Sequence, residues 1–341
     1  MSAWRVLYQS KHDQALITLT GLDFETFDWL ADKFAAYYDS HSTWLDVTNG
    51  NIVPRLEGRG RPRLLTAIDC LGLCLAWTRT RGSCMVLQII FGMTAVPVSL
   101  YLRFSRRILI EVLTKEPDAA IKVPDLGYMD AISQRHPILD GVWCSRDGLK
   151  LYLETSADRA KENNFYNGWK HNHYVGAVIV FCCPDGTIPI CCFNVPGSVH
   201  DSLVAEWGCV HDKLGRVYDR CGGKCTVDSA FSRKNHPYLI KSSQTELGGE
   251  NHQELAANVQ LNAEATSMRQ SAEWGMRALQ ASFPRLKDCF IYEEYGERRI
   301  MFKMLLLLFN LRARRVGINQ IRSTYMPALN VNANVYFAAE R

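Results

Sequence analysis

The chain is expected to be α/β: an all-α region first, then a domain of mixed strands and helices. Three observations point there. Apolar residues recur at helical spacing over 22–38 and 64–115. Short runs rich in Val, Ile and Tyr, bounded by turn dipeptides, follow Leu139. Long helical patterns return after Ser242. The 341 residues suffice for two or three domains, and a hydrophobic fraction of 47% supports a sizeable core and excludes wholesale disorder.

Residues 1–57 form an N-terminal helical segment. Its helix, over 22–38, has Asp23 as N-cap and carries Phe24, Phe27, Leu30, Ala31 and Phe34 at helical spacing. Residues 40–63 are polar and contain glycine, and read as a linker. Residues 58–116 hold nine Lys/Arg against three Asp/Glu. Three helices are expected here: Leu64 to Trp77, one ending near Phe91, and one starting at Thr94 to Pro97 after a turn at Gly92. This outline is a helix-turn-helix. Arg103, Arg106 and Arg107 on the third helix read as DNA contacts, or as the solvated face of a helical bundle. The preceding Arg59-Gly60-Arg61-Pro62-Arg63 resembles an AT-hook core, which lays arginine in a narrow minor groove; the alternative is a basic linker. Residues 117–140 form a linker around a proline-bounded helix, Leu126 to Gln134.

The α/β domain is placed at 141–295. Strands are expected at Leu149–Leu153, just past Asp147, then at His173–Phe181 and Thr187–Phe193, the last two joined by a Pro184-Asp185-Gly186 turn. A helix over 200–214, a strand at Cys225–Val227 and a helix over 254–283 follow. Residues 296–341 hold a final helix, Arg298 to Val316, and a tail. Three strands in meander, a helix, a strand and then helices is the order of a ribonuclease-H-like fold. In that fold the first and fourth strands lie side by side at the sheet centre, which would bring Asp147 and Asp228 together.

Four acids carry the chemical reading: Asp147, Asp201, Asp228 and Glu273. Carboxylates gathered from distant parts of a chain repel one another unless a cation lies between them. Two Mg2+ (or Mn2+) ions, which favour oxygen ligands, would use such a set to cleave phosphodiester bonds. Asp147 and Asp228 are expected to share the ions and Glu273 to complete the second position. Asp201 is either a further ligand or a helix cap. Singly, each acid has an ordinary alternative. Asp147-Gly148 is a turn signal, Asp228 a strand-end cap, and Glu273 a helix glutamate paired with Arg269 or Arg277.

The stretch Pro196-Gly197-Ser198-Val199-His200-Asp201-Ser202 resembles the Pro-Gly-Ser-x-His-Asp-Ser motif of Harbinger-type DDE transposases. Arg269 and Glu273 resemble that family's Arg-x-x-x-Glu pairing, and Ala281 to Lys287 resembles the segment after its last acid. The resemblance spans about Val142 to Cys289. It implies a metal-dependent DNA endonuclease and strand transferase acting at terminal inverted repeats, a Myb-like partner protein and nuclear residence; an oligomer is compatible with it. A domesticated, catalytically inactive DNA-binding protein is the alternative. Two neighbours depart from the family: Asp147-Gly148-Leu149-Lys150 replaces Asp-Gly-Thr-His, and Asp228-Ser229-Ala230-Phe231 replaces Asp-x-Gly-Tyr.

The remaining signals are weaker. The twelve cysteines lack zinc spacing and read as reduced core residues. No signal segment or membrane span is expected, the longest apolar stretch being far too short. His171 and His173 read as polar strand entry rather than a metal pair. His200 could orient Asp201 or contact phosphate. Trp169 and Lys170 could touch DNA, though a Trp in this position is expected in the core.

Overall fold

The computed structural model describes residues 2–56, 62–125, 127–129, 139, 141–183, 185–228, 231, 235–241, 252–291 and 295–325. These divide into two compact units. The first takes the described residues of 1–120, 280–288 and 294–316, and the second those of 121–279, 289–293 and 317–341.

The first unit opens with α1 (Ala3–Ser10), α2 (Asp13–Thr20) and α3 (Phe24–Ser40). Asp23 caps α3 as expected, its carboxylate accepting from the Thr26 N–H. Residues 40–63, expected as a linker, contain an antiparallel pair, β1 (His41–Leu45) and β2 (Ile52–Pro54). Asp46 and Gly50 make its turn: the carboxylate accepts from the N–H groups of Thr48 and Asn49, and Gly50 takes φ +67°. The expected short helix at 126–134 lies outside the described residues apart from 127–129, which are helical.

Then come α4 (Ala67–Arg79), α5 (Met85–Phe91) and α6 (Ala95–Lys115). Thr66 and Asp69 form a capping box at the start of α4. Asp69 also receives the Trp4 indole N–H at 3.1 Å and the Arg5 guanidinium at 2.7 Å, so α1 docks on α4. Gly72 makes the approach possible, because a Cβ there would stand 2.2 Å from the Trp4 ring. Gly92, at φ +65°, ends α5, and α5 and α6 meet at 93°. Val98, Tyr101, Leu102, Ser105, Ile108, Leu109 and Val112 form the buried stripe of α6. A late helix, Tyr295–Arg315, also belongs to this unit. Among the described residues no single helix is long and apolar enough to cross a membrane.

The second unit is built on a mixed sheet. Its elements are β3 (Val142–Tyr152), α7 (Arg159–Phe165), β4 (Tyr166–Asn167), β5 (Asn172–Cys182), β6 (Ile190–Pro196), α8 (Asp201–Trp207), α9 (Val210–Cys221), β7 (Lys224–Val227), β8 (Leu239–Lys241) and α10 (His252–Ser282). The late helix of the first unit is α11, and α12 is Gln320–Tyr325. Along the sheet the order is β5-β3-β7-β8, with β4 and β6 both paired to β5. β3 is antiparallel to β5 and parallel to β7, so the first long strand and the strand after α9 are neighbours, as the element order predicts. β5 is buried from His173 to Cys182, the pattern of a strand covered on both faces.

Several expected boundaries shift by a few residues, as in β6, which runs Ile190–Pro196 where Thr187–Phe193 is expected, and two differences bear on the site. β3 begins at Val142, so Asp147 stands inside a strand rather than before one. Its Asp-Gly pair makes no turn, because nine consecutive residues, Cys144 to Tyr152, pair with β5. The helix expected over 200–214 is two helices, broken at Cys209, which takes φ 50°. α10 lies on the sheet through two small residues. Ser271 Oγ meets Ser145 Oγ at 2.5 Å, and a Cβ on Gly275 would fall 2.5 Å from the Phe181 ring.

Candidate active site

Ser145 on β3 and Thr226 on β7 are register partners in the parallel ladder. Two residues further along each chain come Asp147 and Asp228. β7 ends at Val227, so the parallel pairing leads Asp228 out of the sheet beside the strand that holds Asp147, close enough for the two charges to interact. Side chains alternate along β3. Ser145 faces Ser271 of α10, and so does the Asp147 face. Arg146, Gly148 and Lys150 face the other side.

Asp147 is partly buried. Burial first, and then the negative charges of Asp228 and Asp201, push its carboxyl up to about 6, against the lowering effect of the Gly148 N–H and Arg269. The Gly148 N–H donates to Asp147 Oδ1 at 2.7 Å. The structure therefore brings Asp147, Asp228, Asp201 and Arg269 into one electrostatic neighbourhood.

Asp201 is not the N-cap of α8. That role falls to His200, whose Nδ1 accepts from the Ser202 N–H at 3.3 Å. Asp201 is the first helical residue, and its Oδ1 lies 2.8 Å from Lys150 Nζ. The contact is an ion pair without hydrogen-bond alignment, since Oδ1 accepts no well-directed bond. Lys150 Nζ also donates to the Val199 carbonyl at 3.1 Å, and its side chain is 8% exposed. Gly148 makes the room: a Cβ there would stand 2.1 Å from Asp201 Oδ2.

The rest of the 196–202 loop is accounted for in the same way. Gly197 passes so close to the Tyr174 carbonyl that a Cβ would lie at 2.2 Å. Its own carbonyl accepts from Asn167 Nδ2 at 2.8 Å, and Ser198 Oγ donates to the Asn164 carbonyl at 2.6 Å. Gly197, Ser198, Val199, His200 and Asp201 thus each hold the loop in place.

Glu273 is on α10, where Arg269 one turn earlier pairs with it at 2.8 Å. Asp201 and Glu273 thus each carry a cationic partner. Among the described residues no group of three His, Cys, Asp or Glu side chains is gathered closely enough to hold a metal ion. Asp147 and Asp228 fit a hard divalent cation best. They are oxygen donors, one within β3 and the other just past the end of β7, and the charge of one raises the affinity of the other for a proton, which a cation would displace. Asp201, held by Lys150, fits least well.

Arg146 is the second residue, after Lys150, whose role the sequence did not disclose. It is fully buried, and among the described residues none of its three side-chain nitrogens has a hydrogen-bond partner. Its guanidinium stacks 4.0 Å from the centre of the Phe231 ring, in the turn that follows Asp228. The aromatic residue three places after Asp228 was the available signal. Stacking there ties the Asp228 turn to the strand that carries Asp147.

The basic residues read as DNA contacts divide unevenly. Arg59 and Arg61 lie outside the described residues. Arg63 donates to the carbonyls of Tyr38 and His41 and stacks on Tyr38 at 4.1 Å. Arg106 and Arg107 both pair with Glu297 of α11, and their side chains are only 12% and 10% exposed. These three guanidinium groups are engaged inside the first unit, because a long helix packed in a bundle buries even its basic stems. Arg103 and His200 are exposed. Trp169, expected in the core, is 91% exposed.

Residues 146–310 match the family model of a DDE superfamily endonuclease. The matched segment starts one residue before Asp147, contains all four acids and runs into α11. That segment is thus similar to the endonuclease domain of the DDE superfamily. No curated protein and no solved structure matches the chain.

Proposed function

We propose that this protein is a Harbinger-type DDE transposase, cleaving and joining DNA at terminal inverted repeats with two Mg2+ or Mn2+ ions. The observation that carries the proposal is the parallel pairing of β3, which holds Asp147, with β7, which leads into Asp228, within a segment that matches DDE endonucleases. The strand order also supports a ribonuclease-H-like core.

Asp147 and Asp228 would hold the ions, and Glu273 would join them on release from Arg269. Held there, the ions would supply activation of the attacking water or 3′-hydroxyl and neutralisation of charge on the scissile phosphate. The chain's own residues do the remaining work. Arg146 and Phe231 fix the Asp228 turn, Ser271 and Gly275 seat α10 against β3 and β5, and Arg269 is free to meet a phosphate once Glu273 leaves it. The bent α5–α6 pair with exposed Arg103 supports a helix-turn-helix contact to DNA. A nuclear location, a Myb-like partner and an oligomer belong to the same reading.

The second reading is a domesticated DNA-binding protein. The pairing of Asp201 with Lys150 and of Glu273 with Arg269 favours it, since both pairs reduce the negative charge available to metal. Incubation with inverted-repeat DNA decides between them. The first reading requires Mg2+-dependent nicking that Asp228→Ala abolishes. Binding without nicking establishes the second, and nicking that survives in Asp228→Ala rules out the site.

A further inference from the structure

The hairpin joining β4 to β5 ends in Gly168, Trp169, Lys170 and His171, and all four are exposed. Asn167 organises the tip from below. Its Oδ1 accepts from the Lys170 N–H at 3.0 Å, and its Nδ2 donates to the Gly197 carbonyl at 2.8 Å. His171 closes the turn at φ 51°. The tip is therefore a built turn, anchored to the loop that carries Asp201.

A tryptophan 91% exposed at the apex of such a turn buries nothing of its own unit. Beside it, Lys170 Nζ reaches over the Tyr174 ring at 5.8 Å, and Tyr166, 41% exposed, extends the aromatic surface. An exposed indole with a lysine as its neighbour in the turn matches one ligand chemistry well: a nucleobase stacks on the ring while the adjoining phosphate meets the cation. An acidic or apolar protein surface would use only half of this pairing.

We infer that Trp169 and Lys170 form a stacking site for an unpaired DNA base, with Lys170 on its phosphate. The inference rests on the nuclease reading, because it takes DNA as the ligand. Register places the site. Asn172 stands at the hairpin and Ile179 opposite Asp147, seven residues apart along β5. At about 3.3 Å per residue that is roughly 23 Å. At about 3.4 Å per nucleotide it corresponds to about seven nucleotides from the carboxylates.

The test uses the full chain and a duplex with a ten-nucleotide single-stranded tail carrying 2-aminopurine, whose fluorescence reports stacking. Trp169→Ala should weaken binding roughly 5- to 100-fold and restore the probe's fluorescence, while Trp169→Phe keeps most of both. Lys170→Ala should lower the salt dependence by about one phosphate contact. The thermal midpoint of Trp169→Ala should match the parent's, because the exposed ring supports no packing. A parent that binds the tailed duplex while Trp169→Ala binds within twofold overturns this inference alone and points to a protein-facing tip. A parent that binds no DNA overturns the nuclease reading and this inference with it.

Discussion

Asp201 and Lys150 show how a motif can name a family while its acid serves the fold. The aspartate belongs to the most recognisable stretch of the chain, yet its carboxylate is tied to a lysine on the sheet face opposite Asp147. The lysine is a departure from the resembled family's motif, so both partners were visible in the sequence. Their contact was not, since 51 residues separate them and β6 must first return beside β5. Breaking a partly buried pair leaves one charge unmatched, so Asp201→Asn and Lys150→Met should each lower unfolding free energy by about 2 kcal/mol in urea titrations. Mg2+ affinity measured by calorimetry should be unchanged in Asp201→Asn and lost in Asp228→Asn. A tenfold loss of affinity in Asp201→Asn would return that residue to the metal set.

At the scale of elements, the site depends on how α10 lies on the sheet. Helical periodicity announced α10 over nearly its full length, and the strand runs announced β5. Nothing in either pattern announced that Gly275 would let the Phe181 ring touch the helix backbone, because a glycine inside a helical pattern reads only as a weak spot. Gly275→Ala removes no carboxylate and raises helix propensity, yet its methyl would meet Phe181. It should destabilise the protein by about 1–3 kcal/mol through overpacking. Because the same shift moves Arg269 and Glu273 away from Asp147, nicking should fall with it. Stability equal to or above the parent's in calorimetry would show that α10 yields without strain. The element boundaries missed by sequence have equally local reasons. The β1–β2 pair is only a few residues long, and the break in 200–214 rests on a left-handed Cys209, a conformation no composition foretells.

Across the whole molecule, two buried titratable groups oppose each other in acid. His211 is pushed down to about 4, first by burial and then by the Arg146 and His236 charges. Its unfolded value is near 6.5, so the unfolded chain binds its proton first, and stability is lost as pH falls from about 6.5 to 4. Asp147 acts the other way. Its folded value of about 6 lies above the unfolded value near 3.9, so stability is lost as pH rises from about 4 through 6. Asp147→Asn should therefore gain about 1–2 kcal/mol at pH 8, and that gain should vanish below pH 4. Between these limits the variant should lose stability more steeply in acid than the parent, with the His211 effect no longer offset. Mg2+ should stabilise the parent at pH 8 and leave Asp147→Asn unchanged. Thermal midpoints recorded from pH 4 to 8, with and without Mg2+, check all three outcomes; identical profiles for parent and variant would refute them.

By itself the sequence determined the α/β class, the order of the long strands and of the main helices, and the four acids with the motif around them. Periodicity, capping residues and turn dipeptides act over a few residues, and such signals survive in one dimension. The tertiary structure decided which acids are partnered and by what, that Arg63, Arg106 and Arg107 are engaged within the first unit, and that Trp169 is exposed at a hairpin tip rather than buried. Those outcomes depend on strand register and on the face to which each residue is turned. A side chain's charge and burial are set by neighbours brought together from distant parts of the chain, and no local pattern carries that information.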